Sequence, residues 1–516
     1  MEKNEYPAGF TRLVIVVTAI TVSLLQLIDS TIVNVALRQM AGSLGTSTID
    51  IAWVVTSYAI SNVIVIPLSG MLSNLFGRKR YFTGSIVIFT LGSLMCGLSQ
   101  SLGEMIFWRF IQGIGGGALM ATSQTIIMEA FPPAKVALAM SLYGMAISLG
   151  PAFGPFLGGF LTDNYSWHWA FFINIPFGIA AIISSWLFIE NASHETGIKS
   201  MDWLGILWLV MAVGSLQFVL EEGSRYDWFE SNIIRILSVL SVLGVVLFIH
   251  RESNVKEPAV DIFLFKNYTF TIGAFLTFVL GSILVGAIYL FPLFTQIDLG
   301  WTAQLSGLSI MPGVFMTTVA IGIVQRTTQK GVNPKIYAVA GFALTAVFAF
   351  WMSRQSVFSN WNSLFAPMLL RGFGLGLMMY PILMLSVQGL SGYKLAQGNG
   401  ITNMARQLGA AVGVALLNVR ITHTSAQFRS DMVSHLTLSD PATSDRINAL
   451  NIMAGSNGFS PDQAQAVSYG ILNLSVTRQV SALTYLDAFM VIAIVSLLVI
   501  PLVFFMNRKK SSSGQV

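Results

Sequence analysis

Apolar runs of 18 to 28 residues, broken by short polar stretches, recur along almost the whole chain. That length suits α-helices crossing a hydrocarbon core about 30 Å thick and is too long for barrel strands. The pattern predicts fourteen spans, at 12–37, 51–72, 82–99, 105–128, 136–161, 168–189, 202–221, 232–250, 268–293, 303–325, 335–353, 361–388, 396–419 and 485–506. The fold class expected is an all-α polytopic membrane protein. The first run is longer than the apolar core of a signal peptide and lacks a small-x-small cleavage site, so it reads as a retained helix. The one long interval, 420–484, reads as a loop on the outer side holding a single helix. That helix would start at Ser460-Pro461-Asp462-Gln463, a capping-box sequence with proline at its first position. Ala466, Val467, Ile471, Leu474 and Val480 would form its partly apolar face, and the helix would either dock on the outer mouth or run continuously into the last span.

Composition sharpens this picture only slightly. At 54% hydrophobic and 10% charged residues over 516 positions, the chain is too apolar for a set of soluble domains. A net charge of +5 in a soluble protein would suggest nucleic acid, but in a membrane protein basic residues carry topology first. With the N-terminus in the cytoplasm, every lysine falls on the inner side, from Lys3 through Lys199 and Lys256 to Lys509 and Lys510 beside Arg508. Both termini are therefore expected in the cytoplasm, and an even number of spans agrees with that. Cys96 is the only cysteine, so no disulfide and no cysteine-based metal site can form.

A charged side chain inside a span is costly and marks a functional candidate. Asp29 lies mid-run in Leu24–Leu37, LLQLIDSTIVNVAL, with Gln26 three positions before it on the same helix face. Arg109 opens RFIQGIGGGA at 109–118, with Gln112 on its own face. Counted from the outer ends of their spans, Asp29 and Arg109 lie within one helical turn in height. Asn403, Arg406 and Arg371 are polar positions of the second half that would line a cavity or bond between helices. Gly150, Gly154 and Gly158 recur every four residues in GMAISLGPAFGPFLGG, a smooth ridge for helix contact, while Pro151 and Pro155 each remove a backbone donor.

The chain also echoes itself. WRFIQGIGGGALM at 108–120 is matched by LLRGFGLGLMMYP at 369–381, and the fifth span has a weaker partner in the thirteenth. The echo pairs corresponding helices only if spans seven and eight are an insertion. It predicts a six-helix half over 1–190, an inserted pair with flanking cytoplasmic segments over 191–266, and a second six-helix half over 267–516. Repeats of this kind build many secondary transporters, with the substrate site between the halves.

These stretches resemble the major facilitator superfamily and, within it, the fourteen-helix drug:proton antiporters of the EmrB/QacA type. DSTIVNVAL from Asp29 is similar to that group's first-helix signature, with Arg38 where a proline is usual. RFIQGIGGGA resembles its fourth-helix motif, and the Gly-Pro ridge its antiporter motif. The stretch from Gly70 to Arg80 resembles the superfamily's cytoplasmic loop motif through Gly70, Gly77, Arg78 and Lys79, but Asn74 and Leu75 replace an acid and a basic residue. MDWLGILWLV at 201–210 resembles the start of the inserted pair. Glu221 and Glu222 at its outer edge either recognise cationic substrates at the exit or are solvated helix-end charges.

The resemblance implies a proton-coupled exporter of lipophilic toxic compounds in the bacterial cytoplasmic (inner) membrane, with Asp29 and Arg109 as its coupling residues. It implies no cofactor, the energy coming from the proton gradient. Its partners would be small lipophilic substrates, protons, membrane lipid, a periplasmic adaptor protein and an outer-membrane channel, with no nucleic acid. An exporter of one metabolite, or a non-transporting receptor on the same fold, are the alternatives. No Walker-type loop is present, and His168, His194, His250, His423 and His435 show no metal-ligand spacing, so no enzyme is expected.

Overall fold

The computed structural model describes residues 6–505 apart from 8, 48–49, 133–134, 191–200 and 256–257. Lys3, Lys199, Lys256 and the Arg508–Lys510 tail, all used in the charge argument, lie outside the described residues. The described chain is helical: α1 (Gly9–Ser43), α2 (Trp53–Phe76), α3 (Arg78–Leu98), α4 (Leu102–Glu129), α5 (Val136–Asn164) and α6 (Trp169–Phe188) come first. Next are α7 (Trp203–Glu222) and α8 (Asn232–Asn254), and then α9 (Tyr268–Asp298), α10 (Ala303–Gln329), α11 (Pro334–Met352) and α12 (Trp361–Ser386). The chain ends with α13 (Gly392–His435), α14 (Pro441–Ser456) and α15 (Pro461–Phe504).

Side-chain caps fix many of these starts, because the first N–H groups of a helix have no partner within it. Ser101 accepts from Glu104 N, Thr302 from Leu305 N, and Asn333 from Lys335 N ahead of a first-turn proline. Asn360 and Ser363 form a reciprocal capping box.

Helix occurs at each of the fourteen expected spans. Among the described residues eleven of these helices are long and apolar enough to cross a membrane by length and composition; α4 and α13 are not among them. The reason is visible in α4 and α13, which bury polar side chains: Arg109, Gln112, Ser123 and Gln124 in one, Gln397, Asn399 and Asn403 in the other. In contrast, α8 leaves Ile236, Val239, Val242 and Val246 exposed, as a lipid-facing helix does.

Within the first six helices, α4 packs on α2 and α3, and α1 on α5; in the later set, α12 packs on α10 and α11, and α9 on α13. Between the sets, α2 lies on α13 and α5 on α10. The second helix of each set thus meets the fifth of the other, the pairing a two-fold relation gives. Near the Phe76 end of α2 the approach is close: a Cβ on Gly70 would lie 2.9 Å from Gln397 N, and one on Gly400 3.0 Å from Ile66 O. Helices α7 and α8 pack on each other, and α7 also touches α2 and α13.

The helix expected from Pro461 runs on into the last span, and the rest of the interval 420–484, expected as loop, is mostly helical too. Helices α13 and α15 are each 44 residues long, about 66 Å at 1.5 Å per residue, so they run far beyond a core of about 30 Å. Arg429 braces them through Asn473 Oδ1 at 2.8 Å and Thr477 Oγ1 at 3.1 Å, and Arg420 pairs with Asp487 at 2.7 Å. The capping box forms as expected, Gln463 Oε1 accepting from Ser460 N at 3.1 Å. Beyond the span α15 buries Ala464, Ser468 and Val480; of the expected stripe Val480 is buried, Val467 and Ile471 are part-buried, and Ala466 and Leu474 are exposed.

Candidate functional site

The most concentrated polar chemistry in the described interior centres on Asp29. Its carboxylate is fully buried and receives three side-chain N–H groups. Arg109 donates to Oδ2 at 2.7 Å, while Gln112 and Asn174 donate to Oδ1, each at 2.9 Å. Arg109 also donates to Gln112 Oε1 at 2.8 Å and to the Val54 carbonyl at 3.1 Å, and its guanidinium sits 4.1 Å from the Tyr58 ring centroid. Asn174 donates onward to Ser93 Oγ at 2.9 Å. Helices α1, α2, α3, α4 and α6 therefore meet in one network with no exposed member among Asp29, Arg109, Gln112 and Asn174. A buried pair this well bonded is held by its partners, and removing either one leaves a naked charge.

The glycine ridge of α5 presses on α1 around this acid. A Cβ on Gly150 would lie 2.7 Å from Leu27 Cβ; one on Gly154 would overlap Thr31 Oγ1; one on Gly158 would lie 2.9 Å from Ile32 O. The three contacts bracket Asp29 along α1, so movement of α5 bears directly on the helix that carries the carboxylate. Pro155 is half-buried, and the side chain of Pro151 lies outside the described residues.

Other expected residues fall elsewhere. Gln26 is buried on α1, but its Oε1 takes no hydrogen bond and it stays out of the Asp29 network. Asn403 donates to Gln124 Oε1 at 3.0 Å and Arg406 to Met120 Sδ at 3.2 Å, so both lie between α13 and α4. Gly77 adopts φ +81° at the sharp joint between α2 and α3. Arg78 pairs with Glu129 of α4, and Lys79 lies over the Trp186 ring. Asn74, where the acid was expected, leaves its Nδ2 buried without a partner. Glu222 turns inward rather than to solvent, accepting from Thr56 Oγ1 at 2.6 Å and pairing with Arg225 at 3.0 Å. Glu221 is exposed and takes a bond from Gln217 at 2.9 Å.

Asn174 and Tyr58 were missed from sequence. Asn174 carried a usable signal, since it is an amide inside the apolar sixth span and is subject to the same cost that singled out Asp29.

Comparison with known proteins agrees with this architecture. Residues 19–414 match the Major Facilitator Superfamily. The chain belongs to the major facilitator superfamily. It is thus a multi-pass membrane transporter by family and not an enzyme. Among superfamily relatives it is 31% identical to the multidrug export protein EmrB of Escherichia coli, over 99% of both chains. It is 32% identical to the colistin resistance protein EmrB of Acinetobacter baumannii, over 94% of both. The crystal structure of the human organic anion transporter TETRAN superposes with a TM-score of 0.55 at 14% identity, over 95% of this chain and 99% of that one, which speaks for the superfamily fold alone.

Proposed function

We propose that this chain is a proton-coupled multidrug exporter that works by alternating access in the bacterial cytoplasmic membrane. In this reading fourteen helices cross the membrane as six plus two plus six, α7 and α8 being the inserted pair and both termini cytoplasmic. The export reading is supported by the multidrug export and colistin resistance relatives. The coupling reading is carried by one observation: a fully buried carboxylate, Asp29, held by Arg109, Gln112 and Asn174.

A proton and Arg109 compete for the same carboxylate oxygen. Protonation of Asp29 removes the charge that fixes Arg109, and the freed guanidinium then needs another acceptor, which favours rearrangement of α1 against α4 and α5. Rearrangement at the glycine ridge shifts α5 and, through α10, the second half. In this reading the α2–α13 contact at Gly70 and Gly400 is the closed cytoplasmic gate. The membrane potential supplies about 2.3 kcal/mol per charge per 100 mV, enough to drive accumulation of substrate against a gradient. The braced extension formed by α13, α14 and α15 then stands on the periplasmic side, where it offers a surface to an adaptor protein. A susceptibility panel on cells lacking and overexpressing the protein, paired with dye efflux from vesicles under an imposed pH gradient, tests the reading. Broad resistance that collapses when the gradient is dissipated is expected; resistance to one compound only, or efflux indifferent to the gradient, would overturn it.

A further inference from the structure

Away from the Asp29 network, the start of α7 and the end of α8 bring two carboxyl groups together. Asp202 caps α7, its Oδ1 accepting from Gly205 N at 3.1 Å, and Arg251 forks across both its oxygens at 3.1 to 3.2 Å. The next residue of α8, Glu252, is fully buried and forms no ion pair among the described residues. Its Oε2 accepts from Val260 N at 3.4 Å, while Oε1 has no hydrogen-bond partner. Oε1 and Asp202 Oδ2 converge over Gly205, where a Cβ would lie 2.6 Å from one and 2.8 Å from the other. Arg251 is taken up by Asp202. A buried, unpaired carboxylate is strongly disfavoured unless it finds a cation. Among the described residues no third acid or other ligand side chain joins these two to make a metal site, and a calcium ion gathers about six to eight oxygens, so the pair suits a proton.

The site is wired to the gate. Val260, which Glu252 holds, lies between Ala259 and Asp261, and both of these are gripped by the fully buried Gln397. Gln397 donates to Ala259 O at 3.4 Å and accepts from Asp261 N at 3.4 Å. The backbone of that same Gln397 is what Gly70 packs against. Glu252 is therefore connected through one short linker and one glutamine to the contact that joins α2 and α13. Among the described residues, the other charged groups at this end include Arg251 and Asp202, which pair with each other, Asp261, whose Oδ1 caps Phe263 N, Lys266, which lies over the Phe263 ring, and the exposed Lys394.

We propose that Glu252, facing Asp202, is a second proton-binding site, which latches the α2–α13 gate when ionised and slackens it when protonated. An ionised carboxylate accepts an N–H bond more strongly than a neutral acid does. Acidification on the cytoplasmic side then loosens the grip on Val260 and favours opening of the gate. The inference rests on the alternating-access reading above.

The test is a distance measurement by pulsed electron paramagnetic resonance on the full chain in lipid nanodiscs. Spin labels are placed at Phe76→Cys and Lys394→Cys, both exposed, in a Cys96→Ser background. On lowering the pH from about 8 to about 5.5, the ratio of the short-distance to the long-distance population is expected to fall roughly fivefold, the scale of exchanging a charged for a neutral hydrogen bond. Glu252→Gln should hold the low ratio at both pH values, and Gln397→Leu, which cuts the wire without touching charge, should do the same. A pH response that persists in Glu252→Gln, or in Gln397→Leu should the first variant not fold, overturns the proposal, as does its absence in the parent. A parallel Asp29→Asn sample separates the two readings. If it shifts the distances while Glu252→Gln leaves the pH response intact, only the second site fails; if no variant and no pH moves them, alternating access at this gate fails as well.

Discussion

Asp29→Asn is conservative in volume and severe in electrostatics. Three N–H donors converge on the two carboxylate oxygens, from Arg109 at 2.7 Å and from Gln112 and Asn174 at 2.9 Å. An asparagine there offers one acceptor oxygen and turns the other position into a donor facing donors. Arg109, fully buried, loses the acid it pairs with and keeps only neutral acceptors, Gln112 and the Val54 carbonyl, together with the Tyr58 ring. Breaking a buried pair from one side costs about 3–5 kcal/mol, and the unpaired donor is part of that sum rather than an addition to it. Against a typical total of about 5–15 kcal/mol, the variant still folds but melts well below the parent. The double variant Asp29→Asn/Arg109→Gln removes the stranded charge and should regain most of the lost stability. Thermal unfolding in detergent gives both numbers, and dye efflux from vesicles under a pH gradient gives function. The expected pattern is a destabilised single variant, a restored double variant, and no gradient-driven efflux in either. Equal stability of single and double variants would refute the ion-pair reasoning, and full efflux in Asp29→Asn would move coupling elsewhere.

Gly154→Leu should destabilise the α1–α5 contact by about 1–3 kcal/mol and abolish efflux, since even a Cβ there overlaps Thr31; wild-type dye efflux would remove the packing argument. Gly70→Val pushes on the Gln397 backbone and should shift the population toward an open α2–α13 gate, read as increased reactivity of a cysteine placed at Ser73 toward a bulky maleimide; unchanged reactivity counts against the gate. Deleting residues 426–458 removes the end of α13 and all of α14 but keeps α15, and it should reduce resistance in cells while sparing transport in vesicles. Equal loss in both assays would assign the extension to folding or gating rather than to a partner.

Hydrophobic patterning alone dictates the helices and the places where burial is expensive. Run length reports the thickness of the hydrocarbon, so the spans were legible, and Asp29, Arg109 and Gln112 were legible because a polar side chain in such a run is costly wherever it sits. It did not determine where helices end outside lipid. Loss of hydrophobicity at 420 ended the predicted thirteenth span, yet α13 continues to His435, because Arg429 bonds to Asn473 and Thr477 on a helix some fifty residues further along. Nor did it decide partners. Asn174 reaches Asp29 across 145 positions, and Glu222 is drawn inward by Thr56 across 166, distances at which periodicity carries no information. The physical distinction is between solvation, which each segment meets alone and which a window of sequence can record, and pairing, which exists only once helices far apart in the chain have packed.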